Sequence, residues 1–267
     1  FDRRYGSTNT FEKNNYPVGY NLEQSGNTPS QNLVDAYEMI DGTPFDWNNP
    51  EHKSNPYANR DPRLAMSILT NNVEFKDRTI EAWTGGRDGK GVIHATRTGY
   101  YIYKFIDPNL DLLQNRTSVH HWVIMRYAEI LLSYAEAMNE AYGPTGNVGY
   151  RLNAVRALNQ VRNRVGVEMP AVPTAISKEE LREKIRNERR VELAFEDHRF
   201  WDVRRWMIAP ETLGAPLRGV EITKISDEEF EYNPIEVEKR TFEPKMYLYS
   251  IPQADLNTTG WVQNPLW

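Results

Sequence analysis

Cysteine is absent from the 267 residues, which removes disulfides, thiolate metal ligands and cysteine nucleophiles together. No apolar run approaches the ~20 residues that span a bilayer as a helix. No basic block stands clear of balancing acids, and the net charge is −5, so nucleic acid is not an expected partner. G-x-S-x-G, the Walker loop and the dinucleotide fingerprint are all missing. The glycine-rich GGRDGKG at 85–91 lacks the strand–loop–helix setting and the Gly-Lys-Ser/Thr ending of a phosphate loop, and reads as a flexible hairpin or surface tip.

Aromatic side chains, by contrast, make up 12% of the chain although its mean hydropathy is low, at −0.70. Such a chain is loop-rich, and much of its apolar material is Tyr and Trp, which bury a ring while keeping a polar tip. The sequence opens on Phe1 without Met or a signal segment and reads as the middle of something longer, a fragment.

Residues 1–118 are rich in turns, with Asn49-Pro50, Asn55-Pro56, Asp61-Pro62 and Asp107-Pro108 as punctuation. Short strand-like runs lie at 64–69 and 100–105. From Val119 the period changes. Val123, Tyr127, Ile130, Leu131, Tyr134 and Met138 recur at steps of three and four, or adjoin, within 119–142. That predicts a helix of about 22 residues, roughly 33 Å long, stopped by Gly143-Pro144. A second helix is expected over 148–165, ending at Gly166. A third starts after Ser177, which with Glu180 forms a capping box, and runs through Phe195; a shorter one reaches about Trp206. The remainder, 207–267, reads as loops with a strand at 247–251. The expected fold is one domain, mainly α, with a helical core at 119–206, long loops and a few short β-strands. Tyr127-x-x-Ile130-Leu131-x-x-Tyr134 and Ala154-x-x-x-Leu158 occupy the places of one tetratricopeptide pair, so the packing is expected to be tetratricopeptide-like.

Three segments carry a family resemblance. RYAEILLSYAEAMNE (126–140) is similar to the R-x-A-E-[IV]-L-L-x-Y-A-E-A-x-N signature of SusD/RagB proteins. IRNERRVELAFEDHRFWDVRRW (185–206) resembles their I-x-x-E-R-R-x-E-L-A-F-E-G-x-R-[WF]-x-D-L-R-R motif, and the closing PQADLNTTGWVQNPLW resembles P-x-x-E-L-x-x-N…Q-N-P-G-Y. NLVDAYEMIDG (32–42) and ANRDPRL (58–64) are familiar upstream, in the same order. Asp197 stands where that family has Gly, and the terminus reads Pro-Leu-Trp for Pro-Gly-Tyr. The resemblance implies the later half of a lipid-anchored protein on the cell surface of the Bacteroidetes outer membrane. Such a protein binds an oligo- or polysaccharide, or another nutrient, and passes it to a SusC-like TonB-dependent transporter without cleaving it. The anchor and the earlier helices would lie in an N-terminal half outside this chain.

For binding, Trp47, Tyr57, Trp83 and Tyr16 are the candidates, because a sugar presents an apolar C–H face and a rim of hydroxyls, and these rings have Asn, Asp or Arg beside them. Leu181, Ile185, Glu188, Glu192 and Phe195 fall at steps of 4, 3, 4 and 3, placing two glutamates on an apolar stripe. Glycosidase carboxylates flank a scissile bond, whereas these share one helix face. They are expected to be buried in structural ion pairs with arginines, Arg126 and Arg199 foremost, and no catalytic residue is assigned. His120 and His121 point apart; His198 and Asp202 share a helical face but lack a third metal ligand. Asp107-x-Asn109-x-Asp111 imitates the start of a calcium loop, yet Leu112 and Ser118 stand where an EF-hand needs Gly and Glu. A structural calcium there is the one metal the sequence suggests; no other cofactor is expected. A helical-repeat scaffold for protein partners is the alternative reading, and a glycoside hydrolase a distant third.

Overall fold

The computed structural model describes residues 1–20 and 24–267. β1 (Asp2–Thr8) and α1 (Thr10–Asn15) open the chain, followed by α2 (Gln31–Val34), α3 (Pro50–Ser54) and α4 (Arg63–Ser67). Four short strands come next: β2 (Ile68–Leu69), β3 (Glu74–Phe75), β4 (Arg78–Thr79) and β5 (Tyr101–Ile102). β6 (Ser118–Val123) leads into the long helices α5 (Tyr127–Tyr142), α6 (Ala154–Arg162), α7 (Lys178–Glu192) and α8 (His198–Arg205). α9 (Ala209–Thr212), β7 (Leu217–Lys224), β8 (Phe230–Glu238), a 3₁₀ turn at Pro244–Tyr247 and α10 (Gln253–Thr259) complete it. The described residues are therefore mainly helical, with short strands in four antiparallel pairs: β1–β6, β2–β5, β3–β4 and β7–β8.

Two hydrophobic cores form. One gathers Tyr16, Tyr37, Tyr100, Tyr101, Ile68 and Ile80 with Val220 and Ile222 of β7. The other lies among α5, α6 and α7, around Leu132, Ala135, Leu158, Val161, Leu181 and Ile185. The capping box is present: Ser177 Oγ accepts from Glu180 N while Glu180 accepts from Ser177 N at 3.0 Å. α7 ends at Glu192, short of Phe195, because Phe195 and Asp197 both adopt left-handed backbone, at φ of 63° and 62°.

The fold departs from the local sequence pattern at particular places. Residues 118–123 are strand, since β1 offers a ladder partner more than 100 residues away in sequence. Helix α5 begins only at Tyr127, and its buried stripe is Leu131, Leu132, Ala135 and Met138; Tyr127 and Ile130 lie on an exposed apolar face. Helix α6 is half the expected length, capped by Asn153, whose side chain accepts from Arg156 N. The run 64–69 is mostly helix α4, and only Tyr101–Ile102 of 100–105 is strand. No ladder forms at 247–251. There the Ile251 N–H and carbonyl are taken by the Gln263 side chain, and the Tyr249 carbonyl accepts from Asn264. The glutamine and asparagine of the closing motif thus tie that segment down.

Segment 85–91 is anchored as well as turning. Asp88 is fully buried, accepting from Gly19 N and Glu81 N and pairing with Arg78 at 2.6 Å. The β7–β8 hairpin lies against this region: Val220 N donates to Thr98 O, and Thr84 N donates to Ile222 O. Gly99, at φ +85°, lets the chain cross there, since a Cβ would stand 2.7 Å from the Val220 carbonyl oxygen. Among the described residues, no helix is long and apolar enough to cross a membrane.

Candidate functional site

The two cores meet across a buried ionic cluster. Arg63, on α4, reaches Glu188 at 2.5 Å, Glu192 at 2.9 Å and Asp61 at 2.6 Å. Glu188 also receives Arg162, which bridges on to Glu38. Glu192 receives Arg126 at 2.6 Å and, in addition, Arg164. Arg126 continues to Glu196, which Lys104 joins at 2.6 Å. Burial alone would raise the Glu192 pKa, but hydrogen bonding from Arg164 and the charge of Arg126 outweigh it and bring it down to about 2. Burial likewise opposes charge on Arg63, and the carboxylates of Glu188 and Asp61 outweigh it, holding its pKa above the usual arginine value. Every oxygen of Glu188 and Glu192 is engaged by a guanidinium, and Glu38 is paired with both Arg162 and Lys184, so the cluster is a bolt between α4, α5, α6 and α7 with no carboxylate of it left unpaired. Arg126 therefore has the expected partner. Arg199 does not: among the described residues it makes no ion pair, and it lines a groove beside Arg190 instead. Helix α8 turns it to that groove, while Asp202 on the same helix takes Arg189 and Arg205.

That use of Asp202 also ends its pairing with His198 as a metal site. His198 faces Glu129 at 3.7 Å, and among the described residues no group of three His, Asp or Glu side chains could hold a metal. At the calcium-like segment, Asp107 accepts from Asn109 N and Asp111 from Gln114 N, each carboxylate closing its own turn. His120 and His121 lie on β6, on opposite faces, paired with Glu12 and Asp2 respectively.

The four candidate aromatics divide. Tyr16 is only 1% exposed; its ring packs edge-on against Phe75 and its hydroxyl donates to the Asp107 carbonyl, so it belongs to the core and cannot meet a ligand. Trp47 is half-buried, its indole N–H donating to Asp35 at 3.0 Å and its ring meeting Phe45 edge-on. Tyr57 and Trp83 are brought together through two residues the sequence reading missed. Trp83 lies 5.4 Å from Phe230, Phe230 lies 6.4 Å from Tyr232, and Tyr232 meets Tyr57 edge-on at 5.3 Å. The four rings form a continuous file along one side of the β7–β8 turn. The alternation Phe230–Glu231–Tyr232 was the available signal, obscured by Pro234 and by the acids between the apolar positions.

Beneath this file is a concavity of about 590 Å³ between the 54–73 segment and the β7–β8 turn. Tyr57, Phe230 and Tyr232 line it, with Asn55, Asn72 and Glu228 among the polar groups at its rim. Tyr57 is held from below, its hydroxyl donating to Tyr100, which donates to Gln31 at 2.5 Å. Burial first, then neighbouring Tyr100, push the Tyr57 pKa well up, so the phenol stays neutral. Asn71 donates to the Tyr232 hydroxyl at 3.4 Å, leaving that phenol's own hydrogen without a protein acceptor among the described residues. Of the carboxylates lining the concavity, Asp61 is clamped by Arg63, and Glu228 and Glu229 are neighbours on one exposed turn. The concavity thus offers apolar ring faces flanked by amide and carboxylate hydrogen-bonding groups.

The sequence profile of the SusD family matches residues 1–267. The chain belongs to the SusD family. A SusD-like protein from Bacteroides fragilis has 30% sequence identity and superposes with a TM-score of 0.81, over all of this chain and 54% of that one. A SusD-like carbohydrate binding protein from the same species gives 29% identity and a TM-score of 0.78, over 96% of this chain and 52% of that one. SusD-like protein P2 of Formosa agariphila is 34% identical over 120 residues, covering 43% of this chain and 22% of that relative. The chain thus spans about half the length of these solved SusD-like structures, and the curated alignment about a fifth of its relative.

Proposed function

We propose that this SusD-family chain captures saccharides without cleaving them, and that the aromatic file of Trp83, Phe230, Tyr232 and Tyr57 is where a sugar ring docks. The single observation that carries the reading is the join of partly buried rings with polar groups around one concavity. Sugar C–H faces stack on such rings, while Asn55, Asn72 and the Tyr232 hydroxyl suit the hydroxyl rim. Support also comes from the carbohydrate binding relative of B. fragilis. By family analogy, the whole protein sits on the outer-membrane surface, held by a lipid, and hands its ligand to a SusC-like TonB-dependent transporter. In that setting α5 and α6 form one unit of a tetratricopeptide-like stack, with the exposed face of Tyr127 and Ile130 as the surface on which further helices would pack.

The test is a glycan screen followed by calorimetry on wild type, Trp83→Ala, Phe230→Ala and Trp47→Ala, with product analysis alongside. Losing one stacking platform of about 1–2 kcal/mol weakens binding roughly five- to thirtyfold. We expect that loss in the first two variants, little change in Trp47→Ala, and an unaltered ligand after prolonged incubation. Shortened oligosaccharide products, or equal affinity in all four proteins, would defeat the proposal.

A further inference from the structure

A second concavity of about 590 Å³ opens between α2, α7, α8 and the segment leading into β7. Four arginines line it: Arg190, Arg199, Arg218 and Arg240. Among the described residues only Arg218 has a carboxylate partner, Asp35, at 2.9 Å. Asp35 is further committed to Gln31 and to the Trp47 indole. Arg190 is anchored by the neutral Asn32 carbonyl, and Arg240 by the carbonyls of Ala215 at 2.8 Å and Thr212 at 3.3 Å. Arg199 makes no ion pair among the described residues, and neither does Glu211, the other acid of the lining, which is exposed.

This arrangement is unlike the ionic cluster nearby, where every guanidinium meets a carboxylate. Here one carboxylate, Asp35, pairs with Arg218, while Arg190 and Arg240 are held by backbone carbonyls and no ion pair reaches Arg190, Arg199 or Arg240 among the described residues. Partly buried cations in that state are costly unless an anion arrives. Burial, and then the positive charge of Arg199, bring the Arg190 pKa down to about 10, which reports the same shortage of negative charge. Planar guanidiniums gathered around one concavity suit an oxyanion, through charge-assisted and bidentate hydrogen bonds.

We infer that this arginine-walled pocket binds an oxyanion group, a sulfate ester or carboxylate, carried on an acidic saccharide. The saccharide part rests on the capture role proposed above; the oxyanion part does not.

Thermal melts and calorimetry at constant ionic strength, with sodium sulfate, glucuronate, glucose 6-sulfate and neutral glucose as probes, would test it. Wild type should be stabilised by a few degrees by sulfate and by both charged sugars, and not by glucose. Arg199→Gln should melt no lower than wild type in chloride buffer, since it relieves repulsion, yet bind the charged probes at least about tenfold more weakly. Arg240→Gln should lose affinity similarly, and Phe230→Ala should keep the full sulfate response. An equal sulfate effect in wild type and Arg199→Gln would be the general salting effect on protein surface and would overturn the inference. So would no response at all. Binding of inorganic sulfate with none of the charged sugars would overturn the saccharide source. Binding of charged sugars by a protein whose aromatic variants are all silent would uphold this pocket and defeat the groove proposed above.

Discussion

Replacing Glu192 by Gln removes one negative charge from the bolt between α4 and the long helices while nearly keeping its shape. Three guanidiniums, from Arg63, Arg126 and Arg164, converge on that carboxylate. The Glu192 pKa stands near 2 against an ordinary 4.5, a depression of about 2.5 pH units, which corresponds to on the order of 3 kcal/mol of stability. Leaving a buried charge without its partner costs about 3–5 kcal/mol by a separate route. The two figures agree. Because the folded value lies below the unfolded one, this stability is fully present above pH 4.5 and is lost as pH falls toward 2. Urea unfolding followed by far-UV dichroism at pH 7 and pH 3 reads both effects. With a slope near 3 kcal/mol per molar for a chain of this size, the midpoint of Glu192→Gln should fall by roughly 1 M at pH 7. Between pH 4.5 and 3 the variant should also lose less stability than wild type. Glu183→Gln is the control, since Glu183 pairs with Arg186 on the exposed side of α7 and should shift by less than about 0.5 kcal/mol. A Glu192→Gln midpoint within error of wild type, or an unchanged acid slope, would refute the reasoning.

Two further substitutions probe the backbone. Gly99→Ala should lower stability by about 2 kcal/mol or more in thermal melts, because its Cβ would meet Val220 at 2.7 Å on a left-handed residue; an unshifted melt would mean the crossing of 96–99 over β7 is wrong. Asp197→Gly, which restores the residue usual at this place in SusD-like motifs, should raise stability by up to about 1 kcal/mol, as Asp197 caps α8 at φ +62° without a side-chain hydrogen bond; a loss would show an unrecognised role for its carboxylate.

What could be read from the sequence was what neighbours in the sequence decide. The Ser177–Glu180 box, the Gly143 stop and the stripe placing Glu188 and Glu192 inward all depend on residues within a few positions. What could not be read depends on remote partners. Residues 118–123 alternate weakly and become strand only because β1 pairs with them. Arg63 lies 125 positions from Glu188, and nothing local marks it as that glutamate's partner. Proximity in sequence points Arg199 toward the same cluster, but the direction of α8 carries it to the other pocket. At the candidate site, Tyr57 and Trp83 were legible as aromatics in polar company. Their connection runs through Phe230 and Tyr232, on a hairpin whose acids and Pro234 disguised it as loop. Tyr16 had the same polar company and is core, because its hydroxyl finds backbone carbonyls inside.

The most direct test of saccharide capture is a crystal structure of the chain with an oligosaccharide drawn from the glycan screen. A sugar ring stacked within about 4 Å of Trp83, Phe230 or Tyr57, with hydroxyls reaching Asn55, Asn72 or Tyr232, is the expected result. A well-ordered sugar bound elsewhere, with the aromatic file bare, would contradict it.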